Sequence, residues 1–190
     1  VQHPAYRFSH DRVQQAAYSL LPDTDKHRLH LSIGQSLQAN YSHNIDEIIF
    51  PLVNHMNLAT HYSGSHSISI PLAELNLKAG IKAKASAAFE SAFEYLNNGI
   101  GSVNDSHWLS HYPLMLQLHT EAMELACINA DSDRMDAIIS ILLEKSETLI
   151  DRVPVYETRI RAFISKDDSV RAVTEAYHAL KHLGVDITLN

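Results

Sequence analysis

The sequence predicts an all-α chain of antiparallel helix pairs that follow a short β segment. Apolar residues recur at helical spacing almost continuously from Ile70 onward. Polar segments rich in Asn, Asp and Ser interrupt this pattern at residues 129–133 and 165–169, as the loops of successive hairpins would. With 45% hydrophobic and 19% charged residues, the chain has enough apolar side chains to build a core.

The N-terminal part is predicted to hold one strand and three helices. Alternating apolar and polar residues predict a short strand over residues 6–9. A helix then follows and ends before Pro22, and a second begins at Asp23 or Thr24, which are good capping residues. Asn44, with a glutamate three residues later, is typical of a capping box that opens a third helix.

The clearest loop is the segment SGSHS at residues 63–67. We place the boundary between two parts of the chain there, at 1–66 and 67–190. Beyond it, the pattern predicts three helix pairs, and the first needs a turn near Lys84 to Ser86 although no Gly or Pro marks it. Gly184 is predicted to end the last helix.

The first pair has the small and aromatic residues of a tetratricopeptide-type repeat, in which helices approach closely at small residues. One such pair cannot bury its own apolar face, so pairs stack into an α-solenoid. Successive small residues lie 45 and 35 residues apart, the second interval being close to the repeat period of about 34. The residues expected to carry inter-helix packing are Ala79, Gly80, Ala83, Phe89, Ala92, Phe93, Leu96, Ala137 and Ala172.

Four segments resemble signatures of one family of large bacterial signalling proteins. They are YRFSHDRVQQAAY at residues 6–18, LHLSIG at 29–34, LAELNLKAGIKAKA at 72–85 and LIDRVPVYE at 149–157. Members of that family combine a serine/threonine-kinase-like domain, a STAND-type ATPase module, helical repeats, a GAF domain and often a histidine kinase. The resemblance covers nearly the whole chain and keeps the order of the segments.

This resemblance implies that residues up to about Leu21 close a winged-helix part of the ATPase module. The rest would be its non-catalytic helical arm, contacting a protein partner, an effector or the protein's own modules. ATP would bind upstream, and neither a phosphate-binding P-loop nor a kinase motif occurs in this sequence. The arm itself would need no cofactor. His10 and Asp11 are candidates for contact with the ATPase module.

Composition narrows the classes of partner and compartment. The net charge of −7 and the lack of a Lys/Arg run count against nucleic-acid binding, which needs clustered cations. Cys127 is the single cysteine, so we expect no internal disulfide and a reducing cytoplasm. No segment approaches the roughly 20 apolar residues of a membrane span. Because the sequence opens without methionine, we interpret it as a fragment of a longer protein.

The alternative is a stand-alone helical protein with a histidine-based metal site. His107 and His111 are four residues apart and would share a helix face, as two zinc ligands can. The sequence identifies no third ligand for them. Trp108 and Tyr112 could line a peptide groove instead. Homodimerisation of the chain is a third hypothesis.

Other reactive side chains have simpler structural explanations. Cys127 has no base at a recognisable spacing, so we expect a small buried residue. Glu90 and Glu94 flank an apolar helix face and should point to water. The aspartates of residues 131–136 lack the glycine and terminal glutamate of a calcium loop, so helix capping is expected there.

Overall fold

The computed structural model describes residues 11–63 and 68–185, and all regular structure within these ranges is helical. The all-α prediction is therefore confirmed for the described residues. The chain divides into two compact units, Val1–Ser67 and Ile68–Asn190, called here the N-terminal and C-terminal units. The predicted strand and His10 lie outside the described residues, and so does the side chain of Asp11, the first residue of α1.

The N-terminal unit contains three helices in its described part. They are α1 (Asp11–Ser19), α2 (Asp23–Asn40) and α3 (Ile45–Tyr62). Pro22 precedes α2 in an extended conformation, and its carbonyl accepts the first hydrogen bonds of the helix. Asn44 precedes α3 as expected, but its side chain makes no capping hydrogen bond, so the predicted capping box does not form. Helices α2 and α3 pack on Ile49, Leu52 and Val53, which are fully buried.

The C-terminal unit contains three helical hairpins within residues 68–185. They are α4 (Ile70–Ala85) with α5 (Phe89–Gly101), α7 (Tyr112–Ile128) with α8 (Ser132–Lys145), and α9 (Val153–Ser165) with α10 (Ser169–His182). A single helical turn, α6 (His107–Ser110), and a 3-10 turn, Ile150–Arg152, lie in the connections. The predicted pairing of helical segments is thus confirmed, while the tetratricopeptide subclass stays a prediction.

All three hairpins use the same turn. One residue in each has a left-handed backbone, namely Ala87 (φ 57°), Ala130 (φ 56°) and Asp167 (φ 57°). The next backbone N–H bonds back to a carbonyl in the last turn of the preceding helix: Ala88 to Ala83, Asp131 to Ala126 and Asp168 to Phe163. This pattern is a Schellman motif, which normally takes glycine at the left-handed position. The first turn therefore lies slightly later than the predicted Lys84 to Ser86.

Close helix approach occurs at two glycines of the first hairpin. A Cβ added to Gly80 would lie 2.8 Å from the Leu96 side chain, across the α4–α5 interface. A Cβ added to Gly99 would lie 2.8 Å from Cδ2 of Leu118, on the next hairpin. Each glycine therefore lets a leucine occupy the space of a side chain. Ala79, Ala83, Ala92, Phe93, Leu96 and Ala172 are also buried, and Phe89 is half-buried.

The structure corrects the expected packing role of Ala137, which is exposed. Ala137 is the sixth residue of α8, the position that exposed Glu94 holds in α5. Ala92 is the fourth residue of α5. The fourth residue of α8 is Met135, which is buried. The connections between hairpins differ in length, so intervals between small residues do not identify equivalent positions.

Ala92→Glu is expected to destabilise the C-terminal unit by about 3–5 kcal/mol, because it places an unpaired carboxylate at a fully buried position. Ala137→Glu is the matched control and should cost less than about 0.5 kcal/mol at an exposed position. Urea unfolding followed by the fluorescence of Trp108, the only tryptophan, measures both variants. An unchanged unfolding curve for Ala92→Glu would contradict the packing, and equal losses would contradict the register.

Ala87→Gly tests the left-handed turn. Glycine removes a backbone cost of about 1–2 kcal/mol for alanine at positive φ, and it adds roughly 0.4–1 kcal/mol of unfolded-state entropy. We therefore expect stabilisation of about 0.5 kcal/mol. Ala137→Gly, the same change inside an exposed helical turn, should lose about 1 kcal/mol. The same unfolding measurement compares them, and a loss of similar size in both would refute the turn geometry.

Candidate functional site

The N-terminal unit holds a row of hydrogen-bonded rings that joins its three helices. The Tyr18 hydroxyl on α1 lies 2.7 Å from Nε2 of His30 on α2. Nδ1 of His30 lies 2.8 Å from Nδ1 of His55 on α3. Tyr62 stacks on His30, with ring centroids 6.0 Å apart and planes inclined by 10°. We call Tyr18, His30 and His55 the relay, because both polar ring atoms of His30 are bonded within it.

The relay accepts two arrangements of protons while both histidines are neutral. In the first, Tyr18 donates to Nε2 of His30, and the Nδ1–H of His30 donates to His55. In the second, the Nδ1–H of His55 donates to His30, and the Nε2–H of His30 donates to the tyrosine oxygen. Both keep every contact of the relay, because each imidazole nitrogen can act as donor or acceptor.

Burial keeps the relay uncharged at neutral pH. Burial lowers the pKa of His30, and the neighbouring His55 lowers it further. Burial likewise lowers the pKa of His55. The pKa of Tyr18 is raised to about 12, first by burial and then by Tyr62. If both histidines were protonated, their Nδ1–H groups would point at each other, so acid must break the contact.

Two charged side chains lie beside these rings. Nζ of Lys26 lies 5.6 Å from the ring centroid of Tyr18 and 5.0 Å from that of Tyr62. Asp23 lies 3.1 Å from the same ammonium group. The cation–π contacts hold α1 and α3 to α2.

A cleft of about 820 Å³ opens beside the relay, between α1, α2 and α3. His30 and His55 line it, together with Tyr18 and Tyr62. The rest of the lining is mostly apolar and comes from Ala17, Leu21, Leu29, Ile33 and Leu58, with Gln15 as one further polar side chain. Cavities of this size with few polar groups are typical small-molecule sites.

The sequence did not point to this site. His30 lies within the LHLSIG segment, but no spacing relates it to His55, 25 residues away in the chain. Their contact arises from the packing of α2 against α3. The predicted pair His107 and His111 does come together, with ring centroids 5.6 Å apart. Within residues 11–63 and 68–185, however, no three His, Cys, Asp or Glu side chains are placed to hold a metal ion.

The other sequence candidates occupy structural positions. Cys127 is half-buried rather than buried, and burial raises the pKa of its thiol, which keeps it protonated. Asp131 caps α8 by accepting a hydrogen bond from the backbone N–H of Arg134, as expected. Glu90 and Glu94 are exposed, also as expected.

Of the aromatic pair considered for a peptide groove, Trp108 is buried and Tyr112 is half-buried. The Trp108 ring lies against those of His119 and Tyr112, with centroids 5.0 and 5.9 Å away. The Tyr112 hydroxyl donates to Asp151 at 2.8 Å and accepts from the backbone N–H of Glu147 at 2.9 Å. These bonds tie the start of α7 to the segment before α9.

An ion-pair network connects the first helices of the three hairpins. Nζ of Lys84 on α4 lies 2.7 Å from Glu121 and 2.6 Å from Glu124, both on α7. Arg161 on α9 lies 3.6 Å from Glu124. Burial alone would lower the pKa of Lys84, but the two hydrogen-bonded carboxylates outweigh it and raise that pKa. The network therefore helps to hold the three hairpins together. It does not create a reactive group.

One apolar stripe of the C-terminal unit is exposed. Val170, Val173 and Tyr177 follow one another at helical spacing on α10, with 78%, 60% and 38% of their surface exposed. Val173 is the fifth residue of α10, the position that Phe93 holds in α5. Phe93 is buried, and the Arg134 guanidinium of the following hairpin lies 5.3 Å from its ring centroid. On α10, none of the described residues covers the equivalent surface.

No protein-family model and no solved structure matches the chain. The chain is 25% identical over 217 residues to hybrid signal transduction histidine kinase G of Dictyostelium discoideum. That alignment takes in 97% of this chain and 6% of the kinase, so the chain spans a small part of the protein it matches. The similarity suggests a signal-transduction context. None of the described helices is both long and apolar enough to cross a membrane.

The relay predicts a loss of stability in acid. Because the folded pKa values of His30 and His55 lie below their usual 6.5, the unfolded chain binds more protons between those values and 6.5. The contribution of the pair to stability is complete above pH 6.5 and falls as the pH drops through the lowered pKa values. We therefore expect the free energy of unfolding of the N-terminal unit to decrease between pH 7.5 and 5.

His55→Asn is the test variant, because an asparagine can keep a hydrogen bond to Nδ1 of His30 without titrating. It should flatten the pH profile, measured by urea unfolding with near-ultraviolet circular dichroism of the tyrosines. His43→Asn, at an exposed position, should keep the wild-type profile. Trp108 fluorescence in the same samples reports the C-terminal unit separately. Identical profiles for the two variants would refute the assignment to the relay.

Proposed function

We propose that this chain is a non-catalytic helical arm of a multidomain signal-transduction protein. In this proposal it contacts a protein partner or the protein's own ATPase and kinase modules and regulates their output. The observation that carries the proposal is the alignment of 97% of the chain with a small part of a hybrid signalling histidine kinase. A region of this size within such a protein is expected to transmit a signal between larger modules.

The repeated hairpins support an interaction role. Three hairpins built on one turn give an array in which each hairpin offers a surface to the next. The buried Gly99–Leu118 contact shows how closely a following hairpin can approach α5. We propose that the stripe of Val170, Val173 and Tyr177 on α10 is covered by a further helical hairpin of the signalling assembly, stacked in the same way.

The finer parts of the proposal rest on the sequence resemblance. They are a tetratricopeptide-like solenoid in the C-terminal unit, a winged-helix remnant up to about Leu21, and a STAND-type ATPase module upstream that binds ATP. Serine/threonine and histidine kinase activities would reside elsewhere in the parent protein. We propose a cytoplasmic location for this arm, without nucleic-acid or membrane contacts. An arm of this kind regulates by favouring one arrangement of the modules over another.

The test compares hydrogen exchange of α10 in the 190-residue chain and in the complete protein from which it derives. We expect slower exchange in the complete protein, where the outer face of α10 is covered. Val173→Asp should abolish that extra protection and change the autophosphorylation of the complete protein. The isolated chain should keep its melting temperature within about 2 °C, because the position is exposed.

His178→Asp is the matched control, because it introduces the same charge at an exposed position of α10 that points away from the stripe. It should leave both the protection and the autophosphorylation unchanged. Equal exchange of α10 in the isolated chain and in the complete protein would contradict the proposed contact. A protected α10 with autophosphorylation that is insensitive to Val173→Asp would contradict the regulatory role.

A further inference from the structure

The cleft of the N-terminal unit has a mostly apolar lining, with polar groups from the relay, Tyr62 and Gln15. Leu21, Leu29, Ile33 and Leu58 contribute aliphatic side chains, and the relay supplies the imidazole and phenol groups. No Asp, Glu, Lys or Arg from the described residues lines it. A charged ligand would therefore lose its hydration without gaining an ion pair. The walls favour an uncharged occupant.

One ring nitrogen of the relay remains available to such an occupant. His55 lines the cleft, and its Nδ1 is bonded to His30. Its Nε2 is the remaining polar atom of the ring and has no hydrogen-bond partner among the described residues. His55 is only half-buried, so a molecule in the cleft can reach this ring. The two proton arrangements of the relay decide what that nitrogen offers.

In the first arrangement, His55 accepts at Nδ1 and carries its proton on Nε2, which then offers a donor. In the second, His55 donates from Nδ1, and Nε2 offers a lone pair. In the switch, one proton moves along each hydrogen bond of the relay, Nε2 of His55 releases one proton to water, and the Tyr18 oxygen takes one up from water. The contacts and the net charge of the relay are therefore unchanged. The cleft can thus satisfy either a hydroxyl or a carbonyl group without acquiring a charge.

We propose that this cleft binds a neutral, largely apolar small molecule whose single hydroxyl or carbonyl group hydrogen-bonds to Nε2 of His55. The volume of about 820 Å³ fits a ligand of drug-like size. Binding can be measured on the chain itself, so this inference stands apart from the proposed regulatory role. Failure of the regulatory test would not contradict ligand binding, and failure of the binding test would not contradict the regulatory role.

The probe for this test is 2-naphthol, an apolar molecule with one hydroxyl group, at pH 7.5. The chain carries ¹⁵N-labelled histidine, and the imidazole resonances are followed during titration. We expect saturable shifts at His55 and His30, with a Kd of roughly 0.1–1 mM for a ligand of this size. The anion 2-naphthoate should bind at least about tenfold more weakly, because no cation is among the described lining residues and Lys26 beside them is already paired with Asp23.

Two variants separate the hydrogen bond from the cavity. His55→Asn keeps a group that can bond His30 but lacks Nε2, and it should weaken 2-naphthol binding about tenfold. Leu58→Trp should block the cleft and abolish binding, since Leu58 lines it and has room on its exposed side. Leu20→Trp, the same change at an exposed residue that does not line the cleft, should bind as the wild type does.

Three results would overturn the inference. The first is the absence of saturable shifts at His55 with 2-naphthol up to 2 mM, roughly twice the upper end of the expected Kd. The second is equal affinity for 2-naphthoate, which would show that the cleft does not select neutral ligands. The third is wild-type affinity in either His55→Asn or Leu58→Trp. It would show that 2-naphthol does not bond Nε2 of His55, or that it does not occupy the cleft.

Discussion

The three hairpins depend on the close approach of helices where small residues leave room for larger partners. Gly80 admits Leu96 within the first hairpin, and Gly99 admits Leu118 of the second. Dispersion forces and the burial of apolar surface stabilise such contacts only when the helices pack in one register. The left-handed turns impose that register, because each reverses the chain within a few residues of the helix end. Packing and turn geometry therefore specify the same arrangement.

Much of this architecture was predictable from the sequence, because apolar periodicity and polar interruptions are local signals. Gly184 ends α10 with a φ of 79°, as its position predicts. Alanine and aspartate occupy the corresponding place in the hairpin turns, so no glycine reveals those turns. The error at Ala137 has a related cause. Register is fixed by the start of each helix, and counting between small residues crosses connections of unequal length.

The candidate site could not be predicted from apolar periodicity or polar interruptions. Sequence spacing favours pairs that share a helix, and it correctly brings His107 and His111 together. The relay instead takes one ring from each of three helices, so its members become neighbours only after α1, α2 and α3 pack. Their low pKa values are also a product of packing, because burial is the main cause for both histidines. Nothing in the residue types alone distinguishes His30 from the exposed His43.

If the cleft binds the neutral ligand proposed here, proton binding and ligand binding at the relay oppose each other. A protonated His55 carries N–H groups at both ring positions and places a charge in a cleft without a counter-ion among its described lining residues. A ligand that needs the neutral pair must therefore bind more weakly as the pH falls. By linkage, the bound ligand must lower the histidine pKa values by the same free energy.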